Sequence, residues 1–324
     1  MTKVISNEDD ALKFLNIALG HEWAVSFEYV IHAYSMPKGK FFYEDPVMEL
    51  RTDIRAQTIQ IGIDEMYHAL QLGIVIGRMG EAASFKTDEV IRYPRIIDNL
   101  KRDKMTEDLV TDLYQSSKIR EGLYPKIQNM ALNISCDEVR HSRQFQAMID
   151  ALETAGGAEA LCAQADPKID SRDDVRLLHD IMREENELMH RYLKYVILFS
   201  EHQDLCQRLF KNSIDHMRHW DKNAGLLIKI GTVMHIENAE WAVGGEEKSG
   251  TPMPSVYPGD DRLSALETLP PAELDLIDKY ERLMAIMPRG ESHDQLELQL
   301  ALKREHVFTQ VRLLANARKI KGLI

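Results

Sequence analysis

The chain is poor in cysteine, and the few cysteines that it has are widely spaced. Cys136, Cys162 and Cys206 are the only three among 324 residues, and no two of them form a Cys-x-x-Cys pair. A disulfide framework or a cysteine-based zinc site needs several cysteines at short and regular spacings. The three residues therefore indicate free thiols, which predicts a protein of the reducing cytoplasm.

Long apolar segments and an excess of positive charge are also lacking. The longest apolar-looking stretches, such as residues 192–199, are far shorter than the roughly 20 residues of a membrane-spanning helix. The N-terminus has no apolar segment typical of a secretory signal and carries acidic residues early. The formal net charge is -12 at pH 7, whereas phosphate backbones are bound by basic surfaces. We therefore expect neither a membrane nor nucleic acid as a partner.

Strand-like alternation is missing over any useful length, whereas helix signals are frequent. Capping residues, prolines at helix starts and glycines at helix ends predict eight helices. They are expected at about 6–36, 46–80, 106–122, 125–157, 171–201, 204–231, 271–288 and from 292 onwards. Residues 158–170 are predicted to be a linker. The sequence thus predicts an all-α protein with one domain over residues 1–157 and a second over residues 171–324.

A long connection is predicted at residues 232–270, which are rich in glycine, proline and serine. Its length exceeds that of the usual connection in a helical bundle, so we expect it to pack over a surface or a site. It carries Trp241, Met253 and Tyr257. These side chains either line a substrate pocket or have no functional role.

The most informative motif is Glu-x-x-His, which occurs twice in the first half. Glu65 and His68 lie in IDEMYHALQL, and Glu138 and His141 lie in DEVRHSRQF. Residues three apart share one face of a helix, so each carboxylate and imidazole can hold a metal ion together. Metal-binding bundles of the di-iron carboxylate type combine two such pairs with one carboxylate from each of two further helices. The motif therefore predicts a dinuclear metal site between four helices.

The other two carboxylates are assigned from the helix faces. Glu22 lies on the apolar stripe of the first helix, where an unpaired carboxylate is costly to bury. Asp112 lies on the apolar stripe of the third helix, whereas Glu107 and Glu121 share a more polar face with Lys118. The predicted metal ligands are Glu22, Glu65, His68, Asp112, Glu138 and His141.

These motifs resemble those of bacterioferritin and of the wider ferritin-like superfamily, which includes rubrerythrin. The likeness covers about the first 150 residues and rests on the IDEMYHA segment and on the placement of Glu22, Tyr29 and His32. It implies two iron ions, with manganese or a mixed pair as alternatives because these ions use nearly the same ligands. It also implies that Glu65 and Glu138 chelate or bridge the ions. The candidate catalytic residues are Glu22, Glu65, Glu138 and Tyr29, the last as a hydrogen-bond donor.

The second half looks like a divergent repeat of the first. SIDHMRHW aligns with GIDEMYHA, which places His216 and His219 where Glu65 and His68 stand. A duplicated four-helix bundle is the simplest explanation of such internal similarity. The fold class is therefore expected to be two tandem ferritin-like bundles related by pseudo-two-fold symmetry.

The repeat departs from the ligand pattern at two positions. His216 and Lys303 stand where the two glutamates of the Glu-x-x-His pairs are expected. In one interpretation, the lysine ammonium replaces one cation and leaves a mononuclear site of Glu185, His216, His219 and His306. In the other, the second half is a decayed bundle that is kept for packing and symmetry.

Two methionines raise the question of haem. In the resemblance, Met66 takes the position of the haem-ligating methionine of bacterioferritin, and Met217 takes the equivalent position in the repeat. Two halves packed about a pseudo-two-fold axis would bring these thioethers face to face. Methionine is also a routine filler of helical cores, and this chain has 15 of them. Haem is therefore left out of the expected cofactors.

Two classes of function remain. The resemblance implies a non-haem di-iron oxidoreductase that reacts with oxygen or peroxide, as a ferroxidase or as an oxidase or oxygenase of a small substrate. A fused tandem is an awkward subunit for a closed iron-storing cage, so we expect a small homo-oligomer with redox activity. Because no Cys-x-x-Cys module is present, the electron donor would be a separate molecule. The alternative is a non-catalytic helical metal-binding or interaction protein that holds zinc or no metal.

Overall fold

The structure, a computed structural model, describes residues 4–81, 83, 91, 93–116, 118–119, 124–162, 172–229 and 262–319. Trp241, Met253 and Tyr257 lie outside the described residues, so their proposed position over a pocket stays a prediction. None of the helices in the described ranges is both long and apolar enough to cross a membrane.

The described part of the chain is mostly helical, which confirms the prediction of a helical protein. Nine helices are described: α1 (Glu8–Ser35), α2 (Ile54–Arg78), α3 (Ile96–Ser116), α4 (Pro125–Thr154), α5 (Asp173–Leu198), α6 (Gln203–Lys229), α7 (Arg262–Glu267), α8 (Leu269–Ile286) and α9 (Glu291–Ala317). Six of them agree with the predicted bounds to within a few residues. The short α7 lies inside the segment that was predicted to be a long connection.

Short strands accompany the helices, although the sequence predicted none. In chain order they are β1 (Val4–Ile5), β2 (Phe42–Glu44), β3 (Arg51–Asp53) and β4 (Lys118–Ile119). β1 pairs with β4 in parallel, and β2 pairs with β3 in an antiparallel hairpin. Strands of two or three residues are too short to show the alternation by which a strand is recognised in a sequence.

The second helix begins later than predicted. The start signal formed by Asp45 and Pro46 belongs to the turn between β2 and β3, where the Asp45 carboxylate accepts hydrogen bonds from two backbone N–H groups. The helix begins at Ile54 instead, and the Asp53 side chain caps it. Aspartate stabilises turns and helix starts through the same kind of hydrogen bond, so its presence does not distinguish them.

The third helix begins earlier than predicted, at Ile96 rather than near Thr106. Its first turns pack into the core through Ile97 and Leu100, which are buried. Asp103 gives this stretch a polar sequence pattern, although its side chain is fully buried. A buried carboxylate is rare, so the sequence pattern around this one did not indicate that the helix face turns inward.

The chain divides into two compact units, with α1–α4 in the first and α5–α9 in the second. In the first unit, α1 packs along α2 and α3 along α4, and further contacts join α1 to α3 and α2 to α4. In the second unit, contacts of the same kind join α5 to α6, α8 to α9, α5 to α8 and α6 to α9. Each unit therefore contains four long helices around one interior.

Close packing in the first unit brings its polar residues together. A Cβ atom at Gly62 would lie 3.0 Å from Val30 Cγ2 and 3.1 Å from the Ser26 carbonyl oxygen, so the glycine allows α2 to approach α1 closely. Nearby, the rings of Tyr29 and Phe145 lie 5.1 Å apart in an edge-to-face contact. Burying such aromatic side chains stabilises the fold by about 2 to 3 kcal/mol each. These contacts fix the helices that carry the candidate ligands.

Candidate metal centre

Four glutamates and two histidines meet in the interior of the first unit, and all six are buried. They form two overlapping sets in which the ligand atoms lie within 4.8 Å of one another: Glu22, Glu65, His68 and Glu138 in one, and Glu65, Glu107, Glu138 and His141 in the other. Glu65 and Glu138 belong to both sets. All four helices contribute, in the pattern of two Glu-x-x-His pairs and two further carboxylates.

The carboxylate that α3 contributes is Glu107, so the assignment of Asp112 to this cluster is wrong. Asp112 is exposed, whereas Glu107 is buried. Five residues along a helix turn the side chain by about 140°, which points Asp112 away from the interior. A signal was present in the sequence, because Asp103, Glu107 and Tyr114 are four and seven residues apart and so share one stripe. Because that stripe carries acidic side chains, its sequence pattern did not indicate that it faces the interior.

Both histidines lie against the shared carboxylates. The Nδ1 atom of His68 is 2.9 Å from Glu65 Oε2 and 3.1 Å from Glu138 Oε1. The Nδ1 atom of His141 is 2.7 Å from Glu65 Oε1. The two oxygens of Glu65 thus face different histidines, which is the position that a carboxylate bridging two cations would take.

The unshared glutamates lie at the two outer ends of the cluster. Glu22 Oε2 is 3.4 Å from His68 Nδ1, and Glu107 Oε2 is 3.6 Å from His141 Nδ1. The Tyr114 hydroxyl donates a short hydrogen bond of 2.5 Å to Glu22 Oε1. This bond fixes the Glu22 carboxylate and leaves its other oxygen directed at the cluster.

A carboxylate also lies against the outer nitrogen of each imidazole. His68 Nε2 lies 3.3 Å from Asp137 Oδ2, and His141 Nε2 lies 3.4 Å from Asp64 Oδ2 and 3.1 Å from Arg140 Nη2. Arg140 Nη2 lies 3.1 Å from an oxygen of each of these aspartates. A carboxylate on the outer nitrogen orients the ring, fixes the tautomer and makes the inner nitrogen a better metal ligand. Asp64 and Asp137 are residues that the sequence analysis did not single out.

Several buried polar atoms of the cluster make no hydrogen bond of favourable geometry with the described residues, although some of them lie close to a histidine nitrogen. They are Glu22 Oε2, Glu65 Oε1, both oxygens of Glu107, Glu138 Oε1 and His141 Nδ1. A buried carboxylate costs several kcal/mol unless it is paired or bound to a metal. The charge of the four carboxylates equals that of two divalent cations, and carboxylate with imidazole suits iron, manganese or zinc. The residues present therefore fit a dinuclear metal centre.

The metal-free cluster attracts positive charge. Burial and the charge of Glu107 raise the pKa of Glu65 to about 7. Burial and the neighbouring carboxylates raise the pKa of Glu138 well above its ordinary value. Burial acts in the same direction on Glu22, but the hydrogen bond and the charge of His68 outweigh it and lower the pKa of Glu22 to about 2. Protons or metal ions are thus needed to stabilise this interior.

Tyr29 lies beside the cluster, with its hydroxyl 3.4 Å from the carbonyl oxygen of Asp103. Burial, followed by the charges of Glu107 and Glu65, raises the pKa of Tyr29 well above its ordinary value. The phenol therefore keeps its proton and can serve as a hydrogen-bond donor. That is the role that the sequence analysis assigned to it.

No protein-family model, curated protein or solved structure matches this chain. The resemblance to the ferritin-like superfamily therefore rests on the residues quoted above.

His32, which contributes to that resemblance, belongs to a separate network between α1 and α3. Its Nδ1 lies 2.6 Å from Asp103 Oδ1, and its Nε2 lies 2.6 Å from the carbonyl oxygen of Ile91. Glu28 accepts hydrogen bonds from the Ile91 N–H and from the Arg102 side chain, both at 3.0 Å. Both ring nitrogens are engaged, and two carboxylates face two cationic groups. The network is therefore better suited to hold residue 91 than to bind a metal.

The residues predicted for the second site are all buried in the second unit. Glu185, His216 and His306 lie close to a further glutamate, Glu273, that the sequence analysis missed. TDLYQ at 111–115 aligns with IDKYE at 277–281, and Asp278, which takes the position of Asp112, is likewise exposed.

Three further predicted residues lie at the edge of this arrangement or away from it. His219 Nδ1 is 3.5 Å from Glu185 Oε1, and burial lowers the pKa of His219 to about 4. Met66 and Met217 are buried, each within its own unit. Their burial does not test haem ligation, and haem stays outside the expected cofactors.

Proposed function

We propose that the first unit holds a dinuclear non-haem iron centre and that the protein is a di-iron oxidoreductase reacting with oxygen or peroxide. The observation that best supports this proposal is the sharing of Glu65 and Glu138 between two sets of buried ligands. When bound, two iron ions would supply the electrons that reduce oxygen or peroxide. Manganese or a mixed pair would fit the same ligands.

The residues of the chain would hold, orient and shield this centre. The four carboxylates supply the negative charge that favours the more highly charged, oxidised state of the ions. Asp64 and Asp137 orient the two imidazoles through their outer nitrogens. Tyr114 keeps its proton, since burial raises its pKa well above the ordinary value, and fixes Glu22 by donating a hydrogen bond. Burial of all ligands keeps bulk water away from the reacting atoms.

We also propose that each unit is a ferritin-like four-helix bundle and that the chain is a tandem duplication with pseudo-two-fold symmetry. Equivalent contacts in the two units support this proposal. Tyr114 donates to Glu22 at 2.5 Å, and Tyr280 donates to Glu185 at 2.6 Å. The buried carboxylates Glu107 and Glu273 each lie seven residues before the tyrosine of their unit.

The cellular setting is part of the same proposal. None of the three cysteines forms a disulfide, which favours a reducing cytoplasm. We infer a homo-oligomer with a separate electron donor and a small-molecule substrate if the reaction is not ferrous oxidation itself.

Anaerobic loading with ferrous iron, followed by mixing with oxygen or hydrogen peroxide, tests the proposed activity. We expect rapid oxidation of the bound iron, which is monitored through its near-ultraviolet absorbance. A matching amount of oxygen should be consumed. Oxidation without any organic substrate identifies a ferroxidase, whereas oxygen uptake that depends on an added substrate identifies an oxidase or oxygenase. A chain that binds only zinc and consumes no oxygen after ferrous loading would instead support the non-catalytic alternative.

Glu107→Gln is expected to weaken ferrous binding in the first unit by at least about 10-fold, because it removes an anionic ligand from a buried set. Asp112→Asn is the matched control on the same helix, and it should leave binding unchanged within about twofold because an exposed side chain makes no such contact. Anaerobic titration calorimetry of both variants measures the difference. Equal effects of the two substitutions would overturn the assignment of Glu107.

A further inference from the structure

The interior of the second unit keeps one half of the ligand arrangement seen in the first. His216, Glu273 and His306 are buried, and their ligand atoms lie within 4.8 Å of one another. His216 Nε2 is 2.9 Å from Glu273 Oε1, and His306 Nδ1 is 3.2 Å from the same oxygen. These residues correspond to Glu65, Glu107 and His141 of the first unit, which form most of one of its two ligand sets.

A lysine occupies the other half. Lys303 is fully buried, and its ammonium donates a hydrogen bond of 2.5 Å to Glu185 Oε2. The same nitrogen lies 2.7 Å from His216 Nδ1. Because Glu185 corresponds to Glu22, the ammonium stands where a cation would lie between these ligands in the first unit. Its charge and that of Glu185 cancel, so this half needs no metal.

The contacts of Glu273 indicate a place for a cation beside its carboxylate. Its Oε1 atom lies within 3.4 Å of donors from Tyr192, His216, His306 and Gln310. A carboxylate oxygen has two lone pairs, so it cannot accept four full hydrogen bonds. The Oε2 atom accepts no hydrogen bond from the described residues, and its charged neighbour is the Lys303 ammonium at 3.8 Å. A cation that drew the two imidazole nitrogens to itself would relieve the crowding at Oε1.

His306 is also oriented as a metal ligand would be. Its Nε2 lies 3.4 Å from Asp215 Oδ2, and His141 has the equivalent contact with Asp64 at the same distance. The outer nitrogen is therefore engaged by a carboxylate, and the inner nitrogen faces the interior.

We propose that the second unit binds a single divalent transition-metal ion through His216, Glu273 and His306. Two imidazoles and one carboxylate are the ligands of mononuclear non-haem iron(II) sites, which leave coordination positions open. The pair of Lys303 and Glu185 takes the place of the second ion. This site is distinct from the dinuclear centre and does not depend on its function.

The test uses the full chain carrying Glu65→Gln and Glu138→Gln, so that the first unit does not contribute ions. Anaerobic calorimetric titration with Mn²⁺ or Fe²⁺ alone should give one ion per chain. Adding His306→Gln should weaken this binding by about 100-fold, since one of three protein ligands is lost. His219→Gln should leave the binding in place, and His202→Ala serves as a control for the loss of a histidine outside the site.

A second measurement requires no substitution in the second unit. Pulsed electron paramagnetic resonance of one bound Cu²⁺ ion in the Glu65→Gln, Glu138→Gln chain should detect two coordinated imidazoles. Absence of binding at millimolar metal would overturn the proposal. So would a stoichiometric ion that survives His306→Gln unchanged or is lost with His219→Gln instead, because either result would give the site a different set of ligands.

Discussion

Glu65→Gln is expected to remove both metal ions from the first unit, and Glu138→Gln is expected to do the same. Each of these carboxylates belongs to both ligand sets, so the loss of either charge affects both positions. Glutamine keeps the size of the side chain but supplies no anionic oxygen. We expect each ion to bind at least about 100-fold more weakly, which corresponds to about 3 kcal/mol. Oxidation of ferrous iron by the first unit should be lost in parallel.

The measurement is an anaerobic ferrous titration in the His306→Gln background, so that the second unit adds no ion. Glu22→Gln removes a ligand from one set only and should weaken one ion more than the other. Asp150→Asn lies on an exposed position of α4, the helix that carries Glu138, and should have no effect. Two tightly bound ions in both Glu65→Gln and Glu138→Gln would contradict the sharing of these carboxylates.

The metal-free first unit is expected to lose stability as the pH rises from about 4.5 to about 7. Burial and Glu107 raise the pKa of Glu65 from 4.5 to about 7 in the folded state. Below pH 4.5 the carboxyl is protonated in both the folded and the unfolded states. Between pH 4.5 and about pH 7 the unfolded chain has released the proton, whereas the folded chain still holds it. A rise in pH over this range therefore makes the folded state less favourable. For Glu65 alone the loss is about 3 kcal/mol.

Two other buried carboxyls act in the same direction, whereas His219 acts in the opposite one, because burial lowers its pKa to about 4 and the unfolded chain binds the proton more tightly than the folded chain up to about pH 6.5. The pKa of Glu138 is raised by burial and by neighbouring carboxylates, and that of Asp103 is raised to about 6 by burial. The lowered pKa of Glu22 matters only below pH 4.5, where its stabilising contribution is lost as the pH falls towards about 2. Bound metal should reverse the trend, because the ligands must release their protons to bind it.

Thermal unfolding of the His219→Gln chain between pH 5 and pH 8, with and without metal, measures this effect without the opposing contribution of His219. The chelator-treated chain should unfold at a lower temperature at pH 7 than at pH 5, and Glu65→Gln should reduce the difference because glutamine does not titrate. A metal-free His219→Gln chain that gains stability over this range would show that the carboxylates are not buried together.

Much of the candidate centre could be predicted because residue spacing on a helix does not depend on tertiary structure. Glu65 with His68 and Glu138 with His141 share a helix face wherever the helix begins or ends. The ligand from α3 could not be chosen in this way, because the face that turns inward depends on what the helix packs against. Glu107 lies on a polar face that is buried, and Asp112 lies on an apolar-looking face that is not.

The errors in helix bounds have a similar origin. Asp45 has the sequence pattern of a helix cap, but its carboxylate accepts hydrogen bonds from Gln144 Nε2 at 2.7 Å and from the Tyr43 hydroxyl at 2.5 Å. The contact with Gln144 joins residues that are far apart in the chain, so a local pattern cannot reveal it. Fold class and most helices follow from local signals, whereas these exceptions depend on contacts formed only in the folded protein.

A crystal structure of the chain loaded anaerobically with ferrous iron, with anomalous scattering recorded at the iron absorption edge, tests the central claim most directly. We predict two peaks in the first unit, about 3.5 to 4 Å apart, with Glu65 and Glu138 between them. One peak should lie beside His68 and the other beside His141. A single peak in this unit, or iron bound away from these residues, would contradict the dinuclear centre.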